Sequence, residues 1–343
     1  IQNGAMAAAY AHAETFWHLA SVEMRAALAT PERRQAAHAL LGEPMLADAE
    51  EMALLIGVGA KVLDIQKNLP RGTAALTDEL IWSLRETYDA LFSSNPDAAP
   101  YVTIITMNRL AKPWEALRLP LMILRKTQDT LLSSTDMGLA GELLFHDLEY
   151  MALQICAVRS PDFDADLLIR HLTRFTELSA AVVKEVDIRR DGRWGQVLMR
   201  DRALVGETMQ TLMIQAVTSV MAAIPMQKSG AYGAGPRVPN VEHAPLQLRN
   251  NERALRYAKL LAGCRHLAAR ASFGAKHQDA EDEVERELRA YNEEIVKLLR
   301  DPDDTRRAKA QPFFRMAVEL TAILFSEDEA DFLRRRARAN PAA

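Results

Sequence analysis

Apolar residues recur every three to four positions through most of the chain, and strict apolar–polar alternation is nearly absent. That spacing gathers apolar side chains on one side of an α-helix, whereas alternation would mark a half-buried strand. Leu, Ala, Met, Glu and Arg, all favourable in helices, fill the long stretches. The pattern predicts helices over 6–29, 31–42, 45–67, 77–93, 100–111, 113–133, 137–159, 163–189, 194–224, 246–272, 277–300, 303–325 and 327–338. Start signals agree with it. Thr30-Pro31-Glu32 is a capping hydroxyl followed by proline at the first helical position. Thr77-Asp78-Glu79 opens another helix, and Ser326 with Glu329 three residues on gives a capping-box pattern. Two segments are ambiguous. Tyr101 to Thr106 (YVTIIT) is β-branched and reads as helix or as extended chain, and Pro120 should kink or split the helix predicted over 113–133.

The expected fold class is therefore all-α, a multi-helix bundle or helical array of about a dozen helices with no substantial sheet. One stretch breaks the pattern. Pro225 to Pro245 contains Gly230, Gly233, Gly235, Pro236 and Pro239, too many breakers for a helix. It divides the chain into an expected N-terminal helical domain over 1–224, a Gly/Pro-rich linker or loop over 225–245, and a C-terminal helical domain over 246–343.

Composition narrows the class of function without naming one. Of 343 residues, 49% are hydrophobic and 26% charged, values of a chain that folds. The formal net charge of −4 argues against a surface built throughout to grip nucleic acid. The longest uncharged stretch, Thr208 to Ile224, falls short of the ~20 apolar residues of a membrane span and carries Gln210, Thr211, Gln215 and Ser219. No integral membrane segment is expected, and the start of the chain lacks a signal-peptide pattern, so the expected location is the cytoplasm. Cys156 and Cys264 stand apart from each other and from any Cys/His cluster, which excludes a disulfide framework and the usual zinc sites.

Three constellations carry candidate chemistry. Glu142, His146 and Glu149 in GELLFHDLEY fall at i, i+4 and i+7, so one helix face offers two carboxylates and an imidazole to a metal. Di-metal bundles use Glu-x-x-His, one residue shorter, and the competing reading is an ordinary Glu–His surface pair. His146-Asp147 also spells an HD dipeptide, too short to specify a phosphohydrolase by itself. The second constellation is the turn Asp187–Arg202 (DIRRDGRWGQVLMRDR). Arg189, Arg190, Arg193, Arg200 and Arg202 crowd around Asp191-Gly192 with Trp194, the composition of an interface anchor or an anion-binding loop. The interleaved Asp187, Asp191 and Asp201 offer the alternative of structural ion pairs and a packed tryptophan. Third, Met209, Met213 and Met221 share a helix face that would line an apolar pocket or form a core.

The glycine signals are weak. Gly57-Val58-Gly59 lacks the third glycine and the strand of a dinucleotide fingerprint, and marks close helix contact instead. No cofactor is implied. The C-terminal Arg334, Arg335, Arg336 and Arg338 follow an acidic first turn, which complements the helix dipole; a peripheral anionic membrane or nucleic acid is the secondary candidate for them. The reading that follows is a non-catalytic interaction, adaptor or regulatory protein whose partner is another protein or a second copy. The alternative is an all-helical ligand binder or metal-dependent enzyme with a Met/Leu-lined pocket.

Overall fold

The computed structural model describes residues 2–125, 129–158, 162–229, 235–242 and 248–338. Each expected cap is in place. Thr30 Oγ1 accepts from the Arg33 amide at 3.3 Å, Thr77 Oγ1 from Leu80 at 3.3 Å, and Ser326 Oγ from Glu329 at 3.2 Å. These hydroxyls satisfy amides that the first turn of a helix leaves without a carbonyl.

The helices run α1 Gln2–Leu28, α2 Pro31–Gly57, α3 Gly59–Asn68, α4 Asp78–Ser94, α5 Tyr101–Met107, α6 Arg118–Leu124 and α7 Asp129–Leu132. They continue with α8 Leu139–Cys156, α9 Ala165–Glu185, α10 Arg193–Ala223, α11 Leu248–Gly263, α12 Gly274–Leu298, α13 Asp304–Leu324 and α14 Glu327–Arg338. The chain is all-α: among the described residues the only sheet is two-stranded, β1 Met226–Lys228 against β2 Arg237–Pro239 in antiparallel register. No described helix is long and apolar enough to cross a membrane.

The ambiguous segments resolve by burial. YVTIIT is helical because Val102, Thr103 and Thr106 all face the core, and Thr106 Oγ1 donates back to the Val102 carbonyl at 2.8 Å. Pro120 does not break α6, since it lies in the first turn, where the missing amide has no helical acceptor. The interruption comes later, at Arg125, which is left-handed at φ 55°. In α2 a left-handed Gly42, φ 76°, kinks the helix just ahead of Pro44, where the sequence predicts a break.

Contacts group the chain into two units: residues 1–146 with 180–196, and 147–179 with 197–343. The expected division at 225–245 follows a different line, because the described part of that stretch belongs to the second unit. There the hairpin turns the chain back: the Asn240 amide donates to the Pro225 carbonyl at 2.8 Å, and Arg237 pairs with Glu287 of α12 at 2.7 Å. Residues 230–234 and 243–245 of the expected linker lie outside the described residues.

In the first unit α1 packs along α2 through the face carrying Ala13, Trp17, Met24 and Leu28, and it buries Ser21, whose Oγ donates to the Ala53 carbonyl at 3.2 Å. Gly59 is glycine for steric reasons, since a Cβ there would fall inside the Trp17 ring. That is the close helix contact expected of the Gly57–Gly59 stretch. In the second unit α12, α13 and α14 enclose a core of Val296, Val318, Ala330 and Leu333.

Candidate functional site

Two of the expected sites pair with each other, residue by residue. Glu142 and Glu149 lie seven residues apart on α8, and Arg193 and Arg200 lie seven apart on α10. Arg193 pairs with Glu142, and Arg200 pairs with Glu149, each across an offset of 51 residues. In each unit, then, a glutamate of α8 meets an arginine of α10.

In the first unit both oxygens of Glu142 are engaged. Glu142 Oε2 takes Arg193, and its Oε1 accepts from Trp194 Nε1 at 2.7 Å. Trp194 is only 1% exposed, and its ring stacks on Phe145 with centroids 5.1 Å apart. Room for the indole comes from Gly141, where a Cβ would fall within the ring's van der Waals radius. The tryptophan of the 187–202 turn is thus a packing residue in a satisfied pocket. It offers no surface to a partner, which corrects its expected role as an interface anchor.

In the second unit the Glu149 pair has another character. Arg200 bridges Glu149 and, at 2.9 Å, Asp201, and both carboxylates hold its proton more firmly. Asp201 is 2% exposed, and its Oδ2 has no hydrogen-bond partner. Burial raises its pKa, and the nearby Glu149 adds to the rise, against the opposing pull of Arg200. Arg202 points elsewhere: Nη2 donates to the Ser179 carbonyl at 3.0 Å, Nε is buried without a partner, and burial lowers its pKa.

The remaining arginines of the turn are exposed. Arg189 clasps Asp191 through both nitrogens at 3.1 and 2.8 Å, which lowers the Asp191 pKa and raises that of Arg189. Arg190 is exposed to solvent. The structure therefore joins Arg193 and Trp194 to Glu142 and Arg200 to Glu149, and leaves Arg189, Arg190 and Arg202 apart from them. An anion would have to displace internal carboxylates from Arg189, Arg193 and Arg200, a competition that exposed groups seldom favour.

The metal reading fares no better. His146 is exposed, both oxygens of Glu142 are engaged, and no group of three or more His, Cys, Asp or Glu able to hold a metal occurs among the described residues. Of the methionine face, Met209 and Met213 are fully buried and Met221 half-buried, as the core alternative expects. Cys264 is buried, its thiol pushed up to about 12, so it carries no thiolate at neutral pH. The C-terminal arginines are partly consumed too, Arg334 by Glu327 at 2.8 Å and Arg336 by Glu293 at 2.6 Å.

What the sequence did not single out is an apolar surface. On α1, Phe16 is 66% and Leu19 59% exposed; on α2, Leu40 is 86%, Met45 57% and Met52 54% exposed. The signal that could have found it is an excess: α1 carries apolar residues at positions outside the single stripe 13–17–24–28 that one packed face requires. Compared with protein-family models, with curated proteins and with solved structures, the chain matches none.

Proposed function

We propose that this chain is a non-catalytic helical interaction protein, an adaptor or regulatory component of the cytoplasm that works through protein–protein contacts. The observation that carries the reading is the set of five large apolar side chains on α1 and α2 that are more than half exposed, Phe16, Leu19, Leu40, Met45 and Met52. Scattered single apolar residues on a surface need no explanation, but a run of Phe, Leu and Met along two adjacent helices has the composition of interface cores. The polar candidates point the same way, because their charges are spent on one another rather than converging on an open cleft.

The test compares wild type with a Phe16→Ser, Leu40→Ser double variant, each recovered from the native host with its bound proteins identified by mass spectrometry. The expected outcome is a defined protein partner on wild type that is lost from a variant of unchanged helix content. A stoichiometric metal or small molecule on wild type, with no protein partner, would overturn the reading in favour of a ligand binder.

A further inference from the structure

Within the second unit, α11 and α13 lie side by side and leave an open groove with two lobes of about 380 and 460 Å³. Glu252 and Leu255 of α11 share the first lobe with Arg315 and Met316 of α13, while Lys259 shares the second with Ala322 and Ile323. Residue numbers rise together on the two walls, so the helices run in the same direction. Glu319 borders both lobes.

The charges on these walls differ from those around them. Elsewhere in the unit Arg237 pairs with Glu287, Arg289 with Glu329, Lys309 with Glu242 and Arg336 with Glu293. By contrast Glu252, Lys259, Arg315 and Glu319 are all exposed and make no ion pair or side-chain hydrogen bond among the described residues. Their order is also particular. Along the groove α11 presents Glu252, then Arg256, which Asp162 holds at 3.1 Å, then Lys259, and α13 presents Arg315 then Glu319.

We infer that this groove is the contact surface of a homodimer, with the two-fold axis along the groove and α11 of each copy against α13 of the other. An isologous interface must be complementary to itself. Rotation about the groove axis lays one wall on the other at the same level. It sets Glu252 against Arg315 of the second copy, with Lys259 about one helical turn from Glu319 of the second copy and within reach of its long side chain, and each contact occurs twice. The half-buried Leu255, Ala322 and Ile323 supply the apolar centre, and the four charges form a rim that fixes the register. A heterologous partner would need no reversal of charge order between the walls. The inference uses another unit and other residues than the exposed α1 and α2 side chains, so each can fail without the other.

The experiment is sedimentation equilibrium of the full chain at low and high salt, on wild type, Glu252→Lys, Arg315→Glu, the Glu252→Lys, Arg315→Glu double variant, and Glu86→Lys as a charge control in the other unit. Wild type should be a dimer, and Glu86→Lys should match it. Each single reversal sets like charges together twice and should weaken the dimer ~10-fold or more, while the double variant should recover most of the loss. Circular dichroism of every variant separates dissociation from unfolding. Wild type remaining monomeric up to millimolar concentration would overturn the proposal. So would single reversals that leave dimerisation unchanged, or a double variant as weak as the singles.

Discussion

The two α8–α10 ion pairs, one in each unit, have the same exposed chemistry and opposite interiors. At each, a glutamate of α8 takes an arginine of α10, and the next residue of α10 turns inward. In the first unit that residue is Trp194, 1% exposed; seven positions on, in the second unit, it is Asp201, 2% exposed. The indole has its one donor satisfied and a ring to stack on. The carboxylate keeps one oxygen unpartnered and a raised pKa. The difference teaches that the visible ion pairs say little about what holds the protein together. Half-exposed pairs contribute modestly, whereas the buried neighbour sets the sign and size of the effect.

The sharpest way to break the comparison is Trp194→Ala. Removing a buried indole leaves a cavity and an orphaned acceptor on Glu142, and should cost ~3–5 kcal/mol in denaturant unfolding. A variant of unaltered stability would show that the ring is not integral to the core. Gly141→Ala should act on the same pocket from the other side. In an open helix interior the change would stabilise by about 1 kcal/mol, but here the new Cβ meets the Trp194 ring, so a loss of ~1–3 kcal/mol is expected. The sign of that result alone decides whether Gly141 is there for space.

Most of this fold was open to sequence reasoning, because helical spacing and capping are local properties. Thr30, Thr77 and Ser326 could be assigned as caps from three-residue patterns, and each is one. YVTIIT was not decidable, since β-branched residues suit both forms and burial settled the matter. The hairpin of Met226–Lys228 with Arg237–Pro239 was hidden by its own breakers, which mark a turn and a linker alike. For the site, composition picked out Glu142, Glu149, Arg193 and Arg200 as two separate clusters. Matching charges at a shared seven-residue spacing was the available sign that they pair. No local pattern, however, says which of two helix faces will be buried, so Trp194 was legible only as one of two alternatives, an interface anchor or a packed ring, and burial selects the second.

Asp201→Asn tests the surroundings of the second pair. Burial raises the folded-state pKa of Asp201, so over a window above the ordinary carboxylate value the native state keeps a proton that the unfolded chain has released. Stability therefore falls as pH rises through that window, and the cost is fully present above the raised pKa. Asparagine removes the ionisation. The variant should melt above wild type at pH 7 and lose its advantage as the pH falls into the carboxylate range. An advantage that grew on acidification would reverse the assignment.

The smallest effects lie in the ion pairs, and double-mutant cycles on Glu142/Arg193 and Glu149/Arg200 would sharpen the comparison most finely. Side-chain exposures are 31% and 67% for the first pair and 39% and 55% for the second, so each coupling should fall within ~0.2–1 kcal/mol. Two structural differences order them. Glu142 is already held by the Trp194 indole, so pairing with Arg193 orders one long side chain rather than two. Arg200 retains Asp201 when Glu149 is removed, so part of its stabilisation survives the first substitution. The Glu142/Arg193 coupling should thus be the larger, and high salt should weaken both. In Trp194→Phe, which keeps much of the ring but has no donor, Glu142 regains its freedom, and its coupling to Arg193 should drop toward that of Glu149/Arg200. If the first coupling is unchanged in that background, the indole does not orient Glu142, and the contrast between the two pairs rests on burial alone.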